Sequence, residues 1–339
     1  MKKVLLTGIS GYIGEHCALE LLKADYAVRG SLRNMSKEAG IRNTIEREFG
    51  NSENLEFCEL NLLEDKGWDT AMQGVDYVMH VASPFFTKEP KDVNKIVRPA
   101  VEGTLRALKA AKHEGVKRVV LTSSMVAMMG DADKSISLDQ NSWTNVQAKR
   151  VSAYLKSKTL AEQSAWEFIQ RDKEEGAMDL VVINPGAVYG PSLSGNLSGE
   201  SMAMFREMIL GKLPMLPKGG INISDVRDVA KIHVQALEKE SASNQRFIVA
   251  SDEPHAFLDL AQILKNNGYD KVSTKLAPSL FLRFMANFLP DIKGMLPFVG
   301  NTYNGDNTPA KTTFDWTPRP LESTVLDTAQ SVDKVLAKN

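Results

Sequence analysis

A chain of 339 residues with 43% hydrophobic content can bury a large core, as one big domain or as two that share a site. A net charge of −1 leaves no basic footprint for nucleic acid, and no apolar run is long enough to span a bilayer. The two cysteines, Cys17 and Cys58, have neither metal-ligand spacing nor the pattern of a disulfide framework, so a cytoplasmic chain without a metal is expected.

Lys2-Lys3 before Val4-Leu5-Leu6 imitates a signal peptide, but the apolar part is too short and runs straight into glycines. Lys2 to Leu6 instead reads as a short buried strand, followed by Thr7-Gly8-Ile9-Ser10-Gly11-Tyr12-Ile13-Gly14 and then a helix. In such a strand-turn-helix unit Gly8 allows the tight turn, Gly11 lets a pyrophosphate approach the backbone, and Gly14 lets the helix pack close to the sheet. The helix N-terminus offers N–H groups and a positive dipole end to an anion. Glu15 to Lys23 has helical spacing with Cys17, Ala18, Leu21 and Leu22 inward.

Tyr26 to Leu32 is the second strand. A chain that prefers NAD places Asp or Glu near its end to hold the ribose 2′-hydroxyl. Here Leu32 stands there and Arg33 follows, with Lys37 nearby. A guanidinium pairs with a 2′-phosphate where a carboxylate repels it, so NADP(H) is expected, with Arg33 as the main contact and Lys37 a weaker one. The plainer alternative makes Arg33 a solvated surface charge. Leu55 to Leu60 is a third strand. Asn61 and Leu62 after it can meet an adenine edge and ring, or simply pack the loop. Val75 to His80 is a fourth strand running into Val81-Ala82-Ser83-Pro84, small enough at Ala82 and Ser83 for a dinucleotide to pass. His80 reads as a core histidine rather than a base. Val93 to Glu114 is a long helix, and Val116 to Leu121 a fifth strand ending at Thr122-Ser123-Ser124. This alternation predicts a parallel sheet with helices on both faces and all strand carboxyl ends along one edge.

Tyr154 and Lys158 are four apart, hence on one helix face. A phenol has a reference pKa of about 10, and an ammonium beside it stabilises the phenolate. Ser124, from the neighbouring strand end, can hold a substrate carbonyl oxygen while Tyr154 gives its proton, and Lys158 can also hold the nicotinamide ribose.

These residues resemble the extended short-chain dehydrogenase/reductases over nearly the whole chain. The likeness is strongest to the branch of dihydroflavonol reductases, cinnamoyl-CoA reductases and microbial aldehyde or ketone reductases. It is carried by the glycine turn, Val28-Arg29-Gly30-Ser31-Leu32-Arg33, His80-Val81-Ala82-Ser83-Pro84, Pro99 to Thr104, Asn184 to Pro191, and Trp316-Thr317-Pro318-Arg319-Pro320-Leu321. The resemblance implies catalytic roles for Ser124, Tyr154 and Lys158. It implies cofactor contacts at Gly8, Gly11, Tyr12, Ile13, Gly14, Arg33, Lys37, Asn61, Leu62, Val81, Ala82, Ser83, Tyr154, Lys158, Pro185 and Val188. Asn61 stands where many relatives carry Asp. Ala100 stands where sugar-modifying relatives often carry Asn, and Met125-Val126 follows Ser124 where sugar dehydratases carry Asp-Glu.

Beyond a sixth strand, Val181 to Asn184, the stretch 192–201 reads as a mobile glycine- and serine-rich loop over the cofactor, and Met202 to Leu210 as a helix. Ile223 to Ala230 opens another helix, capped by Ser224 or Asp225, and Arg246 to Ala250 is a last strand. Met125, Met128 and Met129 are expected on a pocket floor, suiting an apolar or aromatic carbonyl. The apolar stretch 276–298 reads first as a core helix, with pocket lining or a membrane contact as alternatives. The expected architecture is a Rossmann-type doubly wound α/β sheet with a smaller, mostly helical substrate domain. Residues 1–190 and 206–250 form the discontinuous NADP-binding domain; 191–205 and 251–339 form the substrate part. The expected activity is NADPH-dependent reduction of an aldehyde or ketone by a monomer or homodimer. The rivals are an NAD-dependent nucleotide-sugar epimerase and a non-catalytic NADP-sensing protein.

Overall fold

The structure is a computed structural model describing residues 1–84, 90, 92–171, 178–197, 199–286, 288 and 294–337. Seven parallel strands form the main sheet: β1 (Lys3–Thr7), β2 (Ala27–Leu32), β3 (Leu55–Glu59), β4 (Tyr77–His80), β5 (Arg118–Thr122), β7 (Asp179–Pro185) and β10 (Gln245–Val249). Their order is β10-β7-β5-β4-β1-β2-β3. The chain runs from β1 outward to β3, then returns to β4 and continues to the other edge. The reversal opens a crevice at the carboxyl ends of β1 and β4, where ligands of such sheets bind.

Strand periodicity of two makes the three layers. Val4 and Leu6 face one side with α1 (Tyr12–Lys23), α2 (Glu38–Phe49) and α7 (Val226–Ala236). Leu5 faces the other, with α3 (Trp68–Met72), α4 (Asn94–His113) and α5 (Ala153–Gln170). Both faces are covered, so the central strands are largely apolar, and β5 is buried along its whole length. Arg118 is admitted there because Asp179 of β7 pairs with it at 2.6 Å and the carbonyls of Ala236 and Lys239 accept its Nη1.

A second sheet, absent from the expectations above, is built from short pieces. β6 (Ile136–Leu138), β8 (Ala187–Tyr189), β9 (Gly220–Asp225), β11 (Pro254–Ala256) and β12 (Thr302–Gly305) pair in the order β11-β9-β12-β6, with β8 also on β9. This corrects the reading of Ile223 to Asp225 as helical: they are strand, and α7 begins at Val226. Asp225 is its cap, accepting from the Arg227 N–H at 2.9 Å. Ser224 has other work, bridging the Gly186 N–H and the Val249 carbonyl.

The remaining helices are α6 (Glu200–Ile209), α8 (Phe257–Asn266), α9 (Ser279–Met285), Thr308–Phe314 and the C-terminal Leu321–Leu336. The Trp316–Leu321 stretch ties this last helix to α7: the Arg319 N–H donates to Asp228 at 3.0 Å, and Thr324 Oγ1 donates to Asp225 at 2.8 Å. Among the described residues no helix is long and apolar enough to cross a membrane, and no cluster of His, Cys, Asp or Glu could hold a metal.

Candidate active site

The glycine turn sits at the crevice. Gly8 has φ +73°, and a Cβ there would lie 2.8 Å from Ala82 Cα, so the turn rests directly on the backbone leaving β4. A Cβ at Gly14 would lie 2.1 Å from the Gly8 carbonyl oxygen, which is how closely α1 packs on the turn. Thr7 Oγ1 joins the two strand ends, 2.9 Å from His80 Nδ1 and accepting from the Ala82 N–H at 3.1 Å. His80 is therefore a core residue, and burial, then the Lys158 charge, pull its pKa down to about 3. Its neutral ring locks Val81-Ala82-Ser83 beside the glycines. Gly11 caps α1 with no side chain, leaving the helix N-terminus to an incoming anion.

The 192–197 stretch crosses this turn. Asn196 Nδ2 donates to the Ser10 carbonyl at 2.9 Å, Ser194 Oγ donates to Glu15 at 2.6 Å, and the Ser192 N–H donates to Ser331 Oγ at 2.7 Å. Residue 198 lies outside the described residues. Tyr12 Oη donates to the Gly190 carbonyl at 2.8 Å, so a hydrogen bond joins α1 to the exit of β8.

Arg33 and Lys37 are exposed just past β2, Arg33 before and Lys37 at the end of a 3-10 turn over Met35–Lys37 that Asn34 caps. The Asn61 side chain is engaged locally: Nδ2 donates to Glu64 at 2.6 Å, and Oδ1 accepts the Leu63 N–H at 3.1 Å. Leu62 lies against Gly103 of α4, where a Cβ would sit 2.8 Å from its Cδ2.

The chemical groups come from two elements that pack together. Ser124 follows β5 and caps the 3-10 turn Met125–Met128; its Oγ donates to the Pro185 carbonyl at 3.4 Å. α5 packs on that turn and carries Tyr154 in its first helical turn, with Lys158 one turn on. Ser152 caps α5, its Oγ accepting from the Leu155 N–H at 3.3 Å, which fixes where Tyr154 begins. Lys158 is buried and donates to the Thr122 carbonyl at 3.4 Å, two residues before Ser124. Burial pulls its amine down to about 8, opposed by Glu162. The model of the NAD dependent epimerase/dehydratase family matches residues 4–250.

The chain belongs to that family.

Within the epimerase/dehydratase family its similarities run to reductases. It is 35% identical over 256 residues to tetraketide alpha-pyrone reductase 1 of Arabidopsis thaliana, covering 74% of this chain and 76% of that one. It is 28% identical to the NADPH-dependent methylglyoxal reductase of Saccharomyces cerevisiae over 98% of both. The crystal structure of the yeast methylglyoxal/isovaleraldehyde reductase complexed with NADPH superposes with a TM-score of 0.77 at 26% identity, covering 99% of this chain and 100% of that one.

Two expectations for the substrate side of this family member are corrected. Met125, Met128 and Met129 do not floor an open pocket: all three are closed into a core with Leu138, Leu155 and Tyr303. The Met125 thioether reaches instead between Gly186 and Gly305. Nor is α9 a core helix. It buries none of its residues, and Leu280, Phe281 and Phe284 face outward. Residues 287 and 289–293 of the 276–298 stretch lie outside the described residues.

Sequence reasoning passed over Thr7, which joins β1 to β4, and Glu162, which is fully buried. The one available signal for Glu162 was its spacing, eight residues from Tyr154 and four from Lys158, on the same helical face.

Proposed function

We infer that this chain is an NADPH-dependent reductase of aldehydes or ketones. What supports the reading is Ser124 at the exit of β5, α5 packed there with Tyr154 one turn before a buried Lys158 that bonds the end of the same strand, and a glycine turn that opens a helix N-terminus after β1. The cradle fits a dinucleotide phosphate: its glycines leave no room for side chains, and the exposed cations Arg33 and Lys37 stand where a 2′-phosphate would lie. Bound NADPH supplies the hydride. Tyr154 donates the proton to the carbonyl oxygen, and Ser124 holds that oxygen in reach. The Lys158 ammonium stabilises the phenolate left behind, and its burial strengthens that effect because little water screens it.

Gly11, Tyr12, Ile13 and Gly14 present the phosphate-binding N–H groups; Val81, Ala82, Ser83, Pro185 and Val188 border the nicotinamide side; Asn61 and Leu62 border the adenine side. Residues 1–190 and 206–250 hold the cofactor, and 191–205 with 251–339 form the substrate side. On this reading the chain is an oxidoreductase acting on CH–OH groups, with an aldehyde or ketone as substrate in the reductive direction. A sugar epimerase or dehydratase reading is disfavoured by Met125-Val126 after Ser124 and by Arg33 at the ribose position.

A carbonyl panel followed by NADPH consumption tests this reading; oxidation of NADPH above background by no member contradicts it. Arg33→Ala is expected to weaken NADPH binding by about tenfold or more and leave NADH nearly unchanged, because a charge-assisted pair to the 2′-phosphate contributes roughly 1.5–3 kcal/mol. Titration calorimetry with both cofactors checks it, and equal losses would contradict it. The Lys158 charge is present below about pH 8 and lost above it. Reductive kcat/KM is therefore expected to fall as pH rises through about 8, and a flat profile to pH 10 would contradict the role given to this amine.

A further inference from the structure

The most deeply buried carboxylate among the described residues has no part in this chemistry so far. Glu162 is fully buried on α5, one turn past Lys158 and on the face that carries Tyr154. A carboxylate in such a place costs several kcal/mol unless it is well partnered. Its partners come from three neighbouring strands and from α5 itself. Ser123 Oγ, after β5, donates at 2.5 Å, and Asn184 Nδ2 of β7 donates at 2.8 Å. Arg246 Nε of β10 lies 2.7 Å from Oε1, in an ion pair whose N–H is not aimed at the oxygen. Trp166 Nε1, one turn further along α5, donates at 3.3 Å.

The same groups reach the catalytic serine. Asn184 Nδ2 also donates to the Ser124 carbonyl at 3.2 Å, and Ser123 is its chain neighbour. Arg246 is fixed from behind by the carbonyls of Gln140 and Ser142 and stacks on Trp143 with its guanidinium 3.8 Å from the ring centroid. One anion thus holds the backbone that presents Ser124 and sits next along the helix from the Lys158 ammonium.

We propose that Glu162 is a positioning residue for the reduction: it holds Ser124 in place through Ser123 and Asn184, and its charge keeps the buried Lys158 ammonium charged. This rests on the carbonyl-reductase reading above. The electrostatic half follows from what surrounds Lys158. On α5, Lys158 has Tyr154 one turn before it and Glu162 one turn after it. From β4 it meets His80, held neutral by burial, and from β5 the Thr122 carbonyl. His233 of α7, also pulled down, to about 4, by burial, is bonded to the Thr122 hydroxyl. α4, packed along α5, buries no charged residue. Arg246 of β10 lies beyond Glu162. Glu162 is then the one anion among these groups, and it opposes the burial that pulls the amine down.

The test is Glu162→Gln, which keeps the volume and removes the charge. The upper limb of the reductive pH profile is expected to move down by about one unit, and an NMR titration of the Lys158 ammonium, which needs no substrate, is expected to move with it. A residue that only braced the fold would lower turnover and leave both titrations where they are. If the Gln chain does not fold, Glu162→Asp is read in its place; it draws the charge back by one methylene and is expected to give a smaller shift in the same direction. An unmoved or raised Lys158 titration in whichever variant folds overturns the proposal. A wild-type chain that reduces no carbonyl overturns the reductase reading instead, while the NMR titration still decides the role of Glu162.

Discussion

Tyr154→Phe is expected to lower turnover of every accepted carbonyl by about 10³-fold while NADPH binds with nearly unchanged affinity. Removing one oxygen deletes the proton donor and leaves the ring in place. General acid catalysis by a positioned group contributes about 10²–10⁴-fold. Tyr154 is partly buried and packs against the buried cluster around Met125, so the variant keeps its hydrophobic contacts. Steady-state rates with the best carbonyl, beside fluorescence titration with NADPH, check both halves. Turnover within tenfold of wild type would remove Tyr154 as the acid. A parallel loss of NADPH affinity would make the residue a binding group first.

Gly8→Ala is expected to weaken NADPH binding by about 100-fold and to lower the melting temperature. Two costs combine at this position. A left-handed φ of +73° is strained for any residue with a Cβ, at about 1–3 kcal/mol. The added atom also meets Ala82 Cα at 2.8 Å and Ala82 N at 2.9 Å. These are backbone atoms held by Thr7 and His80, so they cannot swing aside as a side chain would. The ends of β1 and β4 must separate, and that is the seat of the pyrophosphate. Overpacking of this kind adds about 1–3 kcal/mol. Calorimetric titration and thermal melts read the two effects, and wild-type affinity in the variant would show that the turn is not the cofactor seat.

The order of the main elements was legible in the sequence because each strand is a short apolar run and each helix repeats with its own period. The main-sheet strands begin and end within a residue or two of where the pattern put them. Lys2 to Leu6, for example, was expected and Lys3–Thr7 is found. The second sheet was not legible. β6, β8 and β11 have three residues each, too few to show alternation, and they are strands only because distant partners meet them: Gly305 beside Leu138, Ala187 beside Ile223.

The site divides in the same way. The glycine turn and the Tyr154–Lys158 spacing are local, so they can be read from adjacent residues. The bonds that hold Ser124 are not. Glu162 looks like any helical glutamate until β7 and β10 bring Asn184 and Arg246 to it. Facing was the other blind spot. Three methionines after Ser124 read as a pocket floor, although methionines pack cores just as readily, and only the packing of Gly186 and Gly305 against Met125 decides for the core. The aromatic and leucine side chains of α9 gave a core-like composition to a helix that stands exposed.

The central claim is net hydride transfer from NADPH to a carbonyl carbon. It is tested most directly by giving the purified chain NADPH deuterated at the nicotinamide C4, with an accepted aldehyde or ketone, and weighing the alcohol formed. The account predicts deuterium on the carbinol carbon, matched by the NADPH consumed. Product without deuterium, or a cofactor that ends every turnover in the redox state in which it began, would contradict it.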